Sequence, residues 1–276
     1  YLIKDFNISY AHSSSVLYHQ TERNPSGDIY FKAFAPSYSP EKNNVHKSYK
    51  RGDTWNELAF NEAEAKKLGD YFQGRVFTTS DATEKSFVSN HKGAAILHMA
   101  MHANVDMENP QLSKLVYSAV SDSTFDNYLH SFEIYNMDIN TQLTVLSACH
   151  TGAGSLANGE GVMSLARAFT YAGSRAVMMS HWQVADQSSN ELMNAFDKHL
   201  SAGQSKSRAL QLAKIDYLKT ASPNKQHPFF WSAFVMIGDD QPISTTGDLP
   251  WHYLLIVVPG LYFIALMYAK VKKVVK

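Results

Sequence analysis

Two reactive side chains follow apolar runs of this sequence. His102 ends the run AAILHMAMH, and Cys149, the only cysteine, ends the run LTVLSAC. A thiolate is a strong nucleophile, and an imidazole beside it can remove the thiol proton and later protonate a leaving amine. The stretch GAGSLANGEG at 152–161 follows directly and suits a loop that lets a polymeric substrate approach. These residues therefore predict a Cys–His dyad, although a lone cysteine is also a common packing residue.

The elements that would position this dyad alternate along the chain between short apolar runs and helical patterns. This order is typical of an α/β domain with a mainly parallel sheet. Reactive groups in such sheets collect at the carboxyl ends of the strands. AAILHMAM and LTVLSA are almost continuously apolar, which favours the two central strands. The segments are 29–34, 55–72, 75–78, 81–91, 94–101, 143–148, 162–172, 175–179, 187–200, 206–219 and 229–237.

Several helix ends can be assigned from capping residues. Asp81 with Glu84, and Ser188 with Glu191, each combine a cap oxygen with a carboxylate three residues later, which predicts helix starts at both places. Gly173 and Gly203 lie where left-handed C-caps of helices are expected.

Composition narrows the class of protein. The chain has 276 residues, 45% of them apolar, and 25 basic residues balance 25 acidic ones. This content is enough to bury a large core and excludes disorder as a description of the whole chain. The absence of a net positive charge argues against nucleic acid as a partner.

The C-terminal stretch at 249–269 contains 21 residues without Lys, Arg, Asp or Glu, which predicts a transmembrane helix, with a long buried core helix as the alternative. We expect a linker at 240–248 and a basic tail at 270–276. The lysines after the span favour a cytoplasmic C-terminus and a periplasmic globular domain. A tail anchor with a cytoplasmic domain is the alternative. The start at Tyr1 suggests a fragment of a longer protein.

Blocks of residues over positions 1–239 resemble the CHAT domain family, which belongs to the caspase-like, separase-related cysteine peptidases. They include ILHMAMHANVD at 96–106, LTVLSACHTGAG at 143–154, GEGVMSLARAFTYAGSRAVMMSHWQVAD at 159–186 and HPFFWSAFVMIGD at 227–239. The resemblance implies a caspase-like three-layer fold and peptide hydrolysis by Cys149 and His102, with no cofactor and no metal, while His98 is structural. It also implies upstream tetratricopeptide-type repeats or a sensor partner, and cleavage of a protein in bacterial signalling or defence.

The same resemblance assigns further site residues. Ala103 replaces the glycine that commonly follows the catalytic histidine, and its backbone N–H, with that of Cys149, is expected to bind the oxyanion. His150 replaces a position that is often acidic or polar in the family. Asp186 and Glu160 are candidates for the substrate pocket, and Asp186 would favour a basic side chain before the cut. Helix-end roles are the alternative for both acids.

Two other functions fit some of these residues. A zinc hydrolase would need His102, Cys149, His150 and His181 to converge, but adjacent side chains such as those at 149 and 150 diverge from a strand end. The second alternative is a non-catalytic membrane-anchored scaffold for protein interaction.

Overall fold

The computed structural model describes residues 1–22, 29–39, 55–120, 124–147, 160–182 and 184–243. Residues 1–243 form one compact unit. The strands are β1 (Ile29–Pro36), β2 (Arg75–Thr79), β3 (Ala94–Met99), β4 (His102–Asn104), β5 (Lys114–Val116), β6 (Tyr128–His130), β7 (Leu143–Leu146), β8 (Ala176–Ser180) and β9 (Phe234–Gly238). The helices are α1 (Ser14–Glu22), α2 (Asn61–Phe72), α3 (Glu84–Asn90), α4 (Ser131–Ile134), α5 (Glu160–Tyr171), α6 (Asp186–Ser201) and α7 (Lys206–Thr220), and the described ranges also contain four short 3-10 helices.

A six-stranded sheet in the order β2-β1-β3-β7-β8-β9 forms the centre of the fold. All neighbouring strands are parallel except β9, which runs antiparallel to β8. The prediction of a mixed α/β fold with a mainly parallel sheet is confirmed. β3 and β7 are the two central strands, as their continuous apolar runs predict.

Helices cover both faces of this sheet and make three layers. On one face, Ile96 and Val145 belong to the core that also contains apolar residues of α2, α6 and α7. On the other face, Leu97 and Leu146 pack with residues of α3, α4 and α5. Burial on both faces explains why these strands lack the alternation of a half-exposed strand.

A second sheet was not predicted from the sequence. Three short antiparallel strands in the order β4-β5-β6 pack onto the face that carries α3, α4 and α5, where Leu115 and Leu129 join the core. Each strand has three residues. Such short strands show too little alternation to be recognised as strands in a sequence.

Helix ends agree with the sequence at the C-termini and differ at the N-termini. Gly173 and Gly203 have φ values of 117° and 80°, as left-handed caps require. The cap of α3 is Thr83, whose hydroxyl accepts from Ser86 N at 3.0 Å, and not Asp81, which lies in the preceding turn.

The second predicted cap is also wrong. Helix α6 begins at Asp186, so Ser188 lies inside its first turn. The Ser188 hydroxyl is buried and lies 3.0 Å from the hydroxyl of Tyr217 on α7. A serine in a first turn can thus join two helices instead of capping one, and only the packing of α6 on α7 decides between these roles.

The membrane prediction concerns residues outside the described ranges. Within those ranges, no helix combines the length and the apolar character needed to cross a bilayer. The predicted span at 249–269 and the basic tail at 270–276 lie outside them, as do most of the loop at 152–161 and the end of the linker at 240–248.

Candidate active site

The two strands that lead to the predicted dyad are neighbours in the sheet. β3 and β7 are parallel, with Met99 opposite Leu146 at their carboxyl ends. His102 follows β3 by three residues, and Ser147 follows β7 directly. Cys149 comes two residues after Ser147 and lies outside the described residues, as does His150. The fold therefore brings His102 and the chain leading to Cys149 to one edge of the sheet.

Two aromatic rings and one hydrogen bond hold His102 in place. The residue is 2% exposed, and its ring lies against the tilted rings of Tyr38 and Trp55, with centroid distances of 4.5 and 5.5 Å. Its Nε2 is 2.7 Å from the carbonyl oxygen of Asn56. A carbonyl oxygen only accepts, so Nε2 carries the hydrogen and Nδ1 is the nitrogen that takes up a further proton.

The segment that carries this carbonyl is itself anchored. The Glu57 carboxylate accepts from the Ser37 hydroxyl at 3.0 Å and from the backbone N–H groups of Tyr38 at 2.7 Å and Ser39 at 3.0 Å. These bonds fix residues 55–58 against the end of β1. The Asn56 carbonyl is thereby held in position for the imidazole.

Tyr38 connects this anchor to the second sheet. Its hydroxyl accepts from the backbone N–H of His102 at 2.8 Å and donates to the carbonyl of Val116 at 2.9 Å. Sequence reasoning missed Tyr38, Trp55 and Asn56. Tyr38 lies outside the predicted segments, and Trp55 and Asn56 begin the predicted segment 55–72, whose helix starts only at Asn61. The aromatic character of Tyr38 and Trp55 is the signal that could have suggested a packed role.

Ala103 stands in an ordinary extended conformation and is not among the described residues with positive φ. Ser113 and Tyr117, which flank β5, form backbone hydrogen bonds with residues that flank β6. Ser131 N donates to Ser113 O, and Tyr117 N donates to Asn127 O. Residues of an antiparallel strand alternate in the side to which they bond, so Leu115 also bonds toward β6. Ala103, which lies opposite Leu115, therefore directs its N–H away from β5.

His98 lies on the face of β3 that α2 covers, where it forms a buried pair with Glu64 of that helix. The distance between His98 Nε2 and Glu64 Oε1 is 2.8 Å, and the two side chains are 1% and 6% exposed. The Ser147 hydroxyl is 3.5 Å from the same nitrogen. This pair joins α2 to the ends of β3 and β7.

A small cavity of about 30 Å³ opens beside Ser147 at the same sheet edge. Ser189 of α6 contributes to its wall, one turn after Asp186. Asp186 itself begins α6. Glu160 begins α5. The side chains of Asp186 and Glu160 lie outside the described part of the structure. The cavity is lined by Leu58, Phe60, Asn61, Glu64, Ala100, Ser147 and Ser189.

The proposed zinc ligands can be located only in part. His181 directly follows β8 and is half-buried, and burial together with the charge of Lys214 lowers its pKa. Among the side chains that the structure describes, no group of three His, Cys, Asp or Glu could hold a metal ion. Cys149 and His150 are outside that set.

Known proteins resemble both the sequence and the fold. Over 123 residues the chain is 29% identical to human (Homo sapiens) tetratricopeptide repeat protein 28 and 28% identical to its mouse (Mus musculus) counterpart. The match covers 44% of this chain and 5% of either relative. The chain therefore spans a small part of the length of these relatives.

Among solved structures, the Arg-specific cysteine proteinase gingipain R matches with a TM-score of 0.52 at 11% identity, covering 86% of this chain and 54% of that one. The complex of the RgpB pro- and mature domains from Porphyromonas gingivalis matches with a TM-score of 0.49 at 12% identity, covering 84% and 53%. The likeness to gingipain R shows a shared fold. The family model of the CHAT domain matches residues 1–239. This chain belongs to the CHAT domain family.

Proposed function

We propose that this protein is a cysteine endopeptidase in which Cys149 is the nucleophile and His102 the general acid and base. The observation that carries the proposal is the environment of His102. Its Nε2 hydrogen is committed to the Asn56 carbonyl at the carboxyl end of β3, so Nδ1 is the working nitrogen. The neighbouring strand β7 leads into Cys149.

The chemistry follows from these assignments. The Cys149 thiol loses its proton to His102 Nδ1, and the thiolate attacks the carbonyl carbon of the scissile peptide. The backbone N–H groups of Ala103 and Cys149 stabilise the oxyanion, and the direction of the Ala103 N–H away from β5 supports this role. The C–N bond then breaks as His102 protonates the leaving amine. Water, deprotonated by His102, attacks the thioester and releases the thiol.

A basic residue before the cut is the proposed preference. Asp186 at the start of α6, the helix whose Ser189 lines the cavity beside Ser147, is the proposed partner of that residue. Glu160 at the start of α5 is proposed to order the loop that precedes it. A salt-dependent preference for Arg or Lys over Leu is expected if this assignment holds.

The biological setting of the reaction is also a proposal. The likeness to tetratricopeptide repeat proteins supports a partner region of that type. A substrate protein in bacterial signalling or defence is proposed from the family resemblance alone. Anchoring by a C-terminal membrane helix, with the domain in the periplasm or alternatively in the cytoplasm, remains a sequence-based proposal.

Covalent labelling of the full chain tests the reaction. Peptide acyloxymethyl ketones with Arg, Lys, Leu or Asp before the warhead are incubated with the protein, and the labelled residue is identified by peptide mass spectrometry. We expect labelling at Cys149, none in Cys149→Ala, and a rate about 10²-fold lower in His102→Ala. His19→Ala, which alters an exposed histidine of α1, should label like the wild type.

Asp186→Asn should lower the rate with Arg before the warhead and leave the rate with Leu unchanged. A folded protein whose Cys149 reacts with none of these probes would contradict the peptidase. It would favour the non-catalytic scaffold, which keeps the fold and loses turnover.

A further inference from the structure

Three lysines are buried in the described part of the chain, and they differ in how their ammonium groups are paired. Lys206 has three oxygen acceptors, including the carboxylate of Asp239. Lys32 has two backbone carbonyl acceptors. Lys214 on α7 is 7% exposed and donates only to the carbonyl of Phe234, at 2.6 Å. No carboxylate among the described residues lies within ion-pair distance of Lys214.

This arrangement leaves Lys214 short of acceptors. An ammonium carries three N–H donors, and a buried charge without a counter-ion is costly. Burial lowers the pKa of Lys214 to about 8, so the group is still mostly charged at neutral pH. Its charge also lowers the pKa of the adjacent His181. The surroundings of Lys214 are therefore positive and favour an anion.

Lys214 lines a cavity of about 180 Å³, together with Phe234, whose carbonyl accepts from its ammonium. Its walls are mainly apolar and come from α7, the start of β9 and the first ten residues of the chain. Ser232 and Gln211 also line it, but the Ser232 hydroxyl already donates to Pro228 O, and the Gln211 amide already donates to Ile3 O. The cavity exceeds the roughly 30 Å³ of one water molecule in the liquid, so it has room for a carboxylate with a short hydrocarbon part.

The position of the cavity relates it to the candidate active site. Phe234 is the first residue of β9 and lies opposite Ser180 at the edge where the parallel strands end. β9 is two strands away from β7. Two strand spacings amount to about 10 Å, which an extended peptide crosses in about three residues.

We propose that the cavity at Lys214 is a carboxylate-binding site, and that it receives an acidic side chain of the substrate about three residues from the scissile bond. The assignment to the substrate rests on the proposed function. Binding of a carboxylate does not, and it can be measured separately.

The first test uses butyrate as the probe and thermal unfolding of the full chain as the readout. We expect a saturable rise in Tm of about 3–6 °C at ten times the dissociation constant, and no rise with butyramide, which has the same shape without the charge. Lys214→Met should abolish the rise. Lys219→Met, on the exposed side of the same helix, should keep it. No rise in the wild type, or an equal rise in Lys214→Met, would overturn the site.

The second test compares peptide electrophiles with Glu or Gln at each position two to four residues from the warhead. At one position, Glu should label Cys149 about 10-fold faster than Gln in the wild type, and Lys214→Met should remove this difference. Butyrate binding with equal Glu and Gln rates would overturn the substrate assignment and identify a site for a free carboxylate. Failure of every electrophile to label Cys149 would instead contradict the peptidase, and the butyrate result would stand.

Discussion

Replacing Glu84 by Gln should stabilise the protein at pH 8. Glu84 begins α3 behind the second sheet, is 4% exposed, and accepts from the backbone N–H of Asn127 at 2.8 Å. Burial, together with the charges of Glu133 and Asp126, raises the pKa of Glu84 from 4.5 to about 7, and two backbone hydrogen bonds oppose this rise. A glutamine oxygen can accept the same N–H, and its NH₂ group faces carboxylates instead of repelling them.

The magnitude follows from the difference between the two states. Glu84 ionises at about pH 7 in the folded chain and near 4.5 in the unfolded chain. Between these values the folded state holds more protons, so its stability falls as pH rises, and the full cost applies above pH 7. One pKa unit corresponds to about 1.4 kcal/mol, so the difference between 4.5 and about 7 sets an upper limit of about 3–4 kcal/mol. Relaxation and water entry reduce this limit, so we expect about 1–2 kcal/mol.

Urea unfolding at pH 4.5, 6, 7 and 8 measures this effect. The free energies of unfolding of wild type and Glu84→Gln should be similar at pH 4.5 and should separate progressively up to pH 8. Glu108→Gln, which removes a carboxylate from an exposed loop, should follow the wild type within about 0.5 kcal/mol at every pH. A variant that is less stable than wild type at pH 8, or that keeps the wild-type slope, would refute the reasoning.

Four further substitutions test the packing. Gly238→Ala places a methyl group 2.4 Å from a backbone carbonyl at φ +105°, whereas Gly203→Ala meets nothing within 4 Å at φ +80°. Urea unfolding should therefore give a loss above about 2 kcal/mol for the first and about 1 kcal/mol for the second, and equal losses would contradict the clash. Lys206→Met removes one of the two cations that pair with the buried Asp239 carboxylate. Calorimetry should show a loss of about 2–3 kcal/mol in the free energy of unfolding, and no loss would contradict a stabilising ion pair. Tyr38→Phe removes a hydroxyl that bonds to two backbone groups, so the free energy of unfolding should fall by about 1–3 kcal/mol. Labelling of Cys149 by the peptide electrophiles should also slow. Unchanged labelling would exclude a role of the hydroxyl in positioning His102.

The large sheet could be predicted from the sequence because its strands are buried on both faces. Runs such as 94–99 and 143–146 are apolar at nearly every position, and this pattern requires helices on both sides. Left-handed caps at Gly173 and Gly203 could also be predicted, since the required backbone conformation favours glycine. The cap at Asp81 was wrong because the Thr83 hydroxyl accepts from the helix N–H instead. The cap at Ser188 was wrong because α6 begins two residues earlier, at Asp186, and the Ser188 hydroxyl contacts Tyr217.

By itself, the sequence determined the alternation of strands and helices, the order of the family blocks, and the positions of His102 and Cys149 after two apolar runs. Tertiary structure alone decided what surrounds His102. The carbonyl that sets its tautomer comes from Asn56, and the hydroxyl that holds its backbone comes from Tyr38, 46 and 64 positions away. Tyr38 and Asn56 lie in irregular segments, where no periodic burial records which partner a residue will meet. Such contacts exist only after β1, β3 and the second sheet have packed together.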